Sequence, residues 1–363
     1  MDYTSRLRNL AMALKVCKRD YANNLVFDTF KTNKKEYSND KNSFTLNQRK
    51  MIEFLNGKKG TVIMDYTGIS HDMKIIDRPY NLIYNHASKR YEPCLVILFL
   101  VLLVNDEIYP IDIDFWISET MMLDDEIYLK KTEIAENVVE GLINKGMTID
   151  RALFDAGFNT PDFLKFLERK QINFTARIHK SKKMDNKKTI KELFSDKENR
   201  NFYYYHNYGY TTYKDVEYAG NLLRLVVVCN GREKLDNRDF YCIISSSLDV
   251  SYTETIRIYH FRCKIESFFR NLKSYIGLAS PRSHHIDKIT SHITFCFAMH
   301  LLVQHIAKKK NLTFYKALIW IKRESMSKII RIFGAYWKKI SEMFIESTFE
   351  EYLIDVRFSI LAS

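Results

Sequence analysis

The stretch from Thr255 to Gly277 places charged and hydroxyl groups at a spacing that suits chemistry on a phosphodiester. On a helix turning about 100° per residue, one stripe carries Tyr259, Arg262, Glu266, Arg270 and Lys273. The opposite side is apolar and would dock on a core. In such a stripe the carboxylate can hold a metal ion, while Arg and Lys hold flanking phosphates. The alternative is an ordinary amphipathic helix with a solvated charged face.

Two aspartates upstream are candidates for further metal ligands. The segment GTVIMDYTGI predicts a strand that ends at Asp65, and MTIDRALFDAGF predicts a strand that ends at Asp155. The C-terminal ends of parallel strands in one sheet lie together, so we expect these two side chains to meet. The alternative is that each is an ordinary aspartate in a turn. Asp112 and Asp114 alternate with apolar residues on another strand, and we predict no functional role for them.

The elements around these carboxylates predict an α/β fold. The apolar run Cys94–Val104 and the following IYPIDIDFWI predict an antiparallel hairpin. Helices are predicted from Glu126 to Lys145 and from Thr160 to about Lys170, and INFTARI predicts a fifth strand. The order is therefore three strands, helix, strand, helix and strand, followed later by the helix with Glu266. This is the order of the ribonuclease H-like fold, which has a mixed sheet.

The remaining segments flank or interrupt this predicted core, which comprises residues 59–179 and 251–277. Residues 1–58 are predicted to be a helical DNA-binding domain, since residues 1–60 carry 13 Lys or Arg against 6 Asp or Glu. A helical subdomain that only caps the core is the alternative. Residues 180–250 are predicted to be a β-rich insertion, and residues 278–363 a helical region for DNA contact or dimerisation.

The aromatic run Phe202 to Tyr210 lies beside a very basic stretch of the predicted insertion. Rings next to Lys and Arg can grip unpaired bases. Packing between tyrosine-rich strands is the alternative interpretation.

The composition indicates an anionic partner. The formal net charge is +12 with a pI near 9.2, which favours nucleic acid over a membrane surface. No cysteine pair has CxxC spacing, so neither a zinc knuckle nor a disulfide framework is indicated. The most apolar run, Cys94 to Val104, is too short to span a bilayer, and the N-terminus lacks the apolar core of a signal peptide. We therefore expect no membrane association and a cytoplasmic location.

The spacing of Tyr259, Arg262, Glu266 and Lys273 resembles the Tyr-Arg-Glu-Lys signature of DDE transposases of the insertion-sequence-four type. Together with Asp65 and Asp155, Glu266 is similar to that family's Asp-Asp-Glu triad. The resemblance covers about residues 60–277. Three positions depart from the pattern: Tyr66 stands where many relatives have a second Asp, Ala156 where they often have Arg, and Cys263 where they often have Trp. None of these departures removes a metal ligand.

The resemblance implies an enzyme that cuts DNA at terminal inverted repeats and joins the ends to target DNA. It also implies a homodimer in the DNA complex, in a bacterial cytoplasm and close to the nucleoid. Three carboxylates can hold two Mg²⁺ ions about 4 Å apart, and Mn²⁺ can substitute for Mg²⁺. Arg262, Arg270 and Lys273 would hold phosphates, and Tyr259 would hydrogen-bond or stack beside them. Two alternatives are a ribonuclease H-like nuclease without transposition and an inactive DNA-binding remnant of a transposase.

Overall fold

A computed structural model describes residues 59–70, 80–85, 89–104, 107–122, 127–194, 202–205, 208–229, 240–279 and 286–323. The predicted DNA-binding domain at residues 1–58 lies outside the described residues. The part of the predicted C-terminal region beyond residue 323 also lies outside them. Within the described ranges, no helix is both long enough and apolar enough to cross a membrane.

The described strands form one ten-stranded mixed sheet. They are β1 (Gly60–Ser70), β2 (Asn81–Asn85), β3 (Arg90–Val104), β4 (Glu107–Trp116), β5 (Ile149–Phe154), β6 (Asn173–Ile178), β7 (Tyr203–Tyr205), β8 (Gly209–Tyr218), β9 (Asn221–Cys229) and β10 (Phe240–Ser245). Their spatial order is β2-β3-β1-β5-β6-β10-β9-β8-β7, and β4 also pairs with β3. The predicted hairpin is confirmed, because β3 and β4 pair antiparallel.

The ribonuclease H-like order is confirmed in the first half of the sheet. Strand β1 is parallel to β5, and β5 is parallel to β6. Strand β3 is antiparallel to β1. The three parallel strands therefore point their C-terminal ends at the same edge of the sheet. The fold class is α/β, as the sequence predicts.

Helices cover both faces of this sheet. The helices are α1 (Lys131–Asn144), α2 (Pro161–Arg169), α3 (Ile190–Leu193), α4 (Tyr252–His260), α5 (Cys263–Asn271), α6 (Ile286–Lys309) and α7 (Phe314–Arg323). Val62 and Met64 of β1 face a core that includes residues of α1 and α2, whereas Ile63 faces a core that includes residues of α5 and α6. Because both faces are buried, the central strands read as continuous apolar runs rather than alternating ones.

The segment predicted as a β-rich insertion continues the central sheet. Strand β10 pairs antiparallel with β6 over Thr175–Ile178, and β9, β8 and β7 follow in an antiparallel meander. The turn between β8 and β9 places Ala219 and Gly220 at φ of 58° and 80°. Two positive φ values in a two-residue loop give the primed turn that matches strand twist.

Two predicted boundaries differ from the structure. Strand β1 does not end at Asp65 but continues to Ser70, because β3 is long enough to pair with it over its whole length. The helix predicted from Glu126 begins at Lys131, and residues 127–130 are irregular. The side chain of Glu133 accepts a hydrogen bond from the backbone amide of Lys130, which caps the helix at this point.

Candidate active site

Asp65 and Asp155 lie side by side on neighbouring parallel strands. The paired register of β1 and β5 runs to Ile63 opposite Leu153, and each aspartate follows two residues later. Side chains two residues apart point to the same face of a sheet. Asp155 directly follows β5 and accepts a hydrogen bond of 2.8 Å from the amide of Gly157. The structure therefore brings together the two aspartates that the sequence singled out.

The predicted single helix from Thr255 to Gly277 is broken, and this corrects the predicted stripe. Helix α4 ends at His260 and α5 begins at Cys263. Between them, the amides of Phe261 and Arg262 bond to carbonyls only three residues back, which tightens the turn. A π-helical turn, Leu272–Ile276, follows α5 and ends at Gly277, whose φ of 94° favours glycine.

Tyr259 does not lie in an exposed stripe with Glu266. Its side chain is buried, and it packs in a cluster with Val226 and Val228 of β9 and Ile243 of β10. Burial is the main cause that raises the pKa of its hydroxyl. The prediction that Tyr259 belongs to the exposed stripe is therefore wrong, because packing against β9 and β10 buries it, although its ring stays 5.9 Å from the guanidinium of Arg262. A contact between Tyr259 and DNA stays a prediction.

Arg262 joins two of the three candidate carboxylates. Its Nη1 donates to Oδ2 of Asp65 at 2.9 Å, and its Nη2 donates to Oε1 of Glu266 at 2.5 Å. The arginine side chain is only 12% exposed, whereas that of Glu266 is 53% exposed. We predicted that Arg262 binds a phosphate of DNA. In the structure its guanidinium forms ion pairs with two carboxylates of the site. The i, i+4 spacing of Arg262 and Glu266 was the sequence signal for this pair.

The carboxyl group of Asp65 binds its proton unusually tightly. Burial raises its pKa from 3.8 to about 6, with Arg262 opposing the shift and the charges of Asp155 and Glu266 adding to it. The amide of Tyr66 donates to the other carboxylate oxygen at 2.8 Å. Since both other acids act on Asp65, the three carboxylates are within electrostatic reach of one another.

Lys273 and Arg270 have different surroundings. The ammonium of Lys273 donates to Oγ1 of Thr67 at 2.5 Å and to the carbonyl of Gly68 at 2.9 Å. It therefore lies against β1, just beyond Asp65. Arg270 is exposed and donates to Ser267 at 3.2 Å. Sequence reasoning missed the anchoring of Lys273 by Thr67, because the two residues are far apart in the chain.

The donor set suits a divalent cation by its chemistry. Carboxylate oxygens are the ligands that Mg²⁺ prefers, and Asp65 lies within electrostatic reach of both Asp155 and Glu266. Within the described ranges, no group of three or more His, Cys, Asp or Glu side chains is arranged so that it could hold a metal ion. In this conformation the guanidinium of Arg262 is paired with both Asp65 and Glu266. Glu266 is sufficiently exposed to reorient.

The tyrosines of β7 are exposed beside α4. Tyr203, Tyr204 and Tyr205 are 55%, 51% and 39% exposed. Tyr213 of β8 stacks on Tyr252 of α4, with ring centroids 4.9 Å apart. Some of these rings thus pack on one another while presenting their edges or faces to solvent. Their contact with unpaired bases stays a prediction.

Phe99 lies on β3, the antiparallel neighbour of β1. Its ring packs against α5, the helix that carries Glu266. Phe99 is the cross-strand partner of Asp65, and it is fully buried. Its ring centroid lies 5.1 Å from that of Phe269 and 6.2 Å from that of Phe268, both in α5. This aromatic contact sets the distance between β3 and α5, and because β3 pairs with β1 it helps to position Glu266 relative to Asp65.

We expect Phe99→Ala to lower the free energy of unfolding by about 3–5 kcal/mol, because it opens a cavity in a packed core. Phe174→Ala is the matched control, since Phe174 is equally buried but faces the core on the other side of the sheet. Chemical denaturation should show a similar decrease in the free energy of unfolding for both variants. Only Phe99→Ala should also weaken the stabilisation by divalent metal that is described below. Equal metal responses would contradict this positioning role.

Part of the chain matches a known protein family. Residues 130–302 match the family model of the transposase DDE domain. This segment includes Asp155, Glu266 and the intervening strands. A search of curated proteins gives no significant match.

Two solved structures have similarity over much of the chain. One is the piggyBac transposase synaptic complex with hairpin DNA, at 14% identity and a TM-score of 0.45, covering 81% of this chain. The chain spans 56% of the length of that transposase. The other is the NurA nuclease from Sulfolobus solfataricus, at 12% identity and a TM-score of 0.26, covering 64% of this chain and 84% of that one.

Proposed function

We propose that the chain is a DNA transposase of the insertion-sequence-four type. It would cut at the terminal inverted repeats of an insertion sequence and join the 3′ ends to target DNA by metal-dependent phosphoryl transfer. The observation that supports the proposal is the adjacent placement of Asp65 and Asp155 on parallel strands of a ribonuclease H-like sheet, with Arg262 linking Asp65 to Glu266. The transposase-domain match over residues 130–302 supports the same activity.

Each residue of the site has a role in this proposal. Asp65, Asp155 and Glu266 would hold Mg²⁺ or Mn²⁺, which would supply charge to activate the attacking hydroxyl and stabilise the leaving oxygen. Arg262 keeps the buried charge of Asp65 compensated at 2.9 Å. Once Glu266 leaves it, one edge of the guanidinium can bind a phosphate of the cut strand. Lys273, in the π-helical turn and held by β1, and the exposed Arg270 at the end of α5 would bind further phosphates.

The partners follow from the resemblance and the charge. The substrate is double-stranded DNA, both at the inverted repeats and at the target, and the net charge of +12 favours its capture. The predicted DNA-binding domain at residues 1–58 would recognise the repeats. The active form would be a homodimer on DNA in the bacterial cytoplasm.

The experiment that tests the function is cleavage of a labelled duplex carrying the inverted repeats that flank the gene. Metal-dependent cutting at the repeat ends, followed by joining to a second duplex, is the expected result. Metal-dependent cutting that ignores the repeats would indicate a general nuclease instead. Binding without any cutting would indicate an inactive remnant.

DNA binding should weaken steeply with salt. Each phosphate that a Lys or Arg neutralises contributes about −0.9 to the slope of log K against log salt concentration. With about six contacts, affinity would fall about 10³-fold between 50 and 200 mM salt. Fluorescence anisotropy with a labelled duplex at several KCl concentrations measures this slope. A flat response would contradict a phosphate-binding surface.

A further inference from the structure

Lys131, the first residue of α1, lies in an aromatic setting next to the carboxylates. Its ammonium is 4.3 Å from the ring centroid of Trp116, at the end of β4, and 5.1 Å from that of Tyr66. The hydroxyl of Tyr66 donates to the backbone carbonyl of Lys131 at 2.8 Å, which fixes the start of the helix beside β1. Two rings and a backbone hydrogen bond therefore hold this cation in one place.

Within the described ranges, this cation has no directly paired carboxylate. No carboxylate there lies within 4.0 Å of the Lys131 ammonium, and no hydrogen-bond acceptor is recorded for it. Its neighbour Lys130, in contrast, pairs with Glu133 at 3.6 Å. The first turn of a helix carries partial positive charge, so a half-buried lysine there is unfavourable without an anion. Such a local conflict is typical of a functional position.

Lys131 lies at the same edge of the sheet as Asp65 and Asp155. Tyr66 directly follows Asp65 in β1, and its side chain points to the opposite face of the sheet. Arg262 contacts Asp65 from the face covered by α5, so Lys131 stands on the other face of the same edge. Burial lowers the pKa of Lys131, and the charge of Asp155 counteracts that shift, which places the two groups within electrostatic reach.

We propose that Lys131 binds a phosphate of the DNA strand that crosses the sheet edge at Asp155. The strand would then have a cation on each side of the carboxylates, with Lys131 on one face and Arg262 on the other. A phosphate would give the ammonium a direct ion-pair partner, and the ammonium is already oriented by Trp116 and Tyr66. This inference rests on the proposed function, because it assumes that DNA crosses this edge.

The test compares Lys131→Met with Lys130→Met, its exposed neighbour on the same helix end. Binding to a labelled duplex of arbitrary sequence is measured in EDTA at several KCl concentrations. We expect Lys131→Met to bind about tenfold more weakly at low salt, with a salt slope smaller by about one. Lys130→Met should change both much less. Unchanged affinity and slope for Lys131→Met would overturn the proposal, while absence of DNA binding by the wild-type protein would overturn the proposed function as well.

A measurement on the unaltered protein covers the case in which Lys131→Met fails to fold. Lysines are acetylated with and without the duplex, and mass spectrometry gives the rate at each site. DNA should lower the acetylation rate of Lys131 several-fold. The rate at Lys145, about 20 Å away at the other end of α1, should not change. A bound duplex that leaves the acetylation rate of Lys131 unchanged would overturn the proposal.

Discussion

Glu266→Gln is expected to lower the rate of metal-dependent DNA cleavage by about 10³-fold or more, while DNA binding stays intact. The substitution removes the negative charge that a divalent cation needs and keeps the size of the side chain. The amide oxygen can still accept the hydrogen bond that Arg262 donates to Glu266. Local structure should therefore survive. The loss would appear in cleavage assays with Mg²⁺ or Mn²⁺ and not in anisotropy measurements of binding.

Glu254→Gln is the matched control for this experiment. Glu254 lies on α4 and also pairs with an arginine on its own helix, Arg257, at 2.7 Å. It is not one of the three candidate metal ligands, so we expect near wild-type cleavage. Metal-dependent cutting by Glu266→Gln at the wild-type rate would show that Glu266 is not a metal ligand, and the site assignment would fail.

Divalent metal should stabilise the folded protein, and this effect should depend strongly on pH. Binding to the folded state alone adds about 2.7 kcal/mol when the metal concentration is a hundred times Kd. A carboxyl group must lose its proton to bind metal. Because the pKa of Asp65 is raised to about 6 by burial, its proton competes with the metal below that pH. We expect the apparent metal affinity to fall by about tenfold per pH unit below pH 6.

Without metal, the same pKa shift makes the folded protein less stable as the pH rises, whereas the stabilisation by metal grows with pH. Folding raises the pKa of Asp65 above its ordinary value of 3.8, so the folded state holds this proton more tightly than the unfolded state. Its contribution to stability is therefore present below pH 3.8 and is lost as the pH rises to about 6. Added metal offsets this loss above pH 6. Thermal unfolding at several pH values, with Mg²⁺ or with EDTA, separates the two effects.

Asp65→Asn should abolish most of the metal response at every pH. Asp162→Asn is the control, because Asp162 is an exposed carboxylate in the first turn of α2. It should respond to metal like the wild-type protein. A wild-type metal response in Asp65→Asn would place the metal elsewhere in the chain.

Much of the catalytic core could be predicted because its signals are local. The run Cys94–Val104 is apolar at every position, which predicts a strand buried on both faces. Thr160 caps α2 and Pro161 starts it, a pattern that sequence shows directly. The parallel order of β1, β5 and β6 then requires Asp65 and Asp155 to meet. These steps need no knowledge of distant contacts.

The parts that could not be predicted depend on tertiary contacts. An unbroken 3.6-residue period from Thr255 to Gly277 assigns Tyr259 and Glu266 to one stripe. The tightened turn at Phe261 and Arg262 changes that period, and Tyr259 is buried against β9 and β10. Strand β2 escaped prediction because its five residues become a strand only by pairing with β3. The cation near Asp155 likewise depends on Trp116 and Tyr66, which are distant from Lys131 in the chain.

The pairing of β10 with β6 limits how this chain can vary in evolution. Residues 180–250 supply the neighbour of β6 and, through Val226, Val228 and Ile243, the surface on which Tyr259 rests. A lineage that deleted them would expose an open apolar strand edge beside Asp155 and remove the support of the helix preceding Glu266. The inner strands β9 and β10 are therefore part of the same structural unit as the carboxylates.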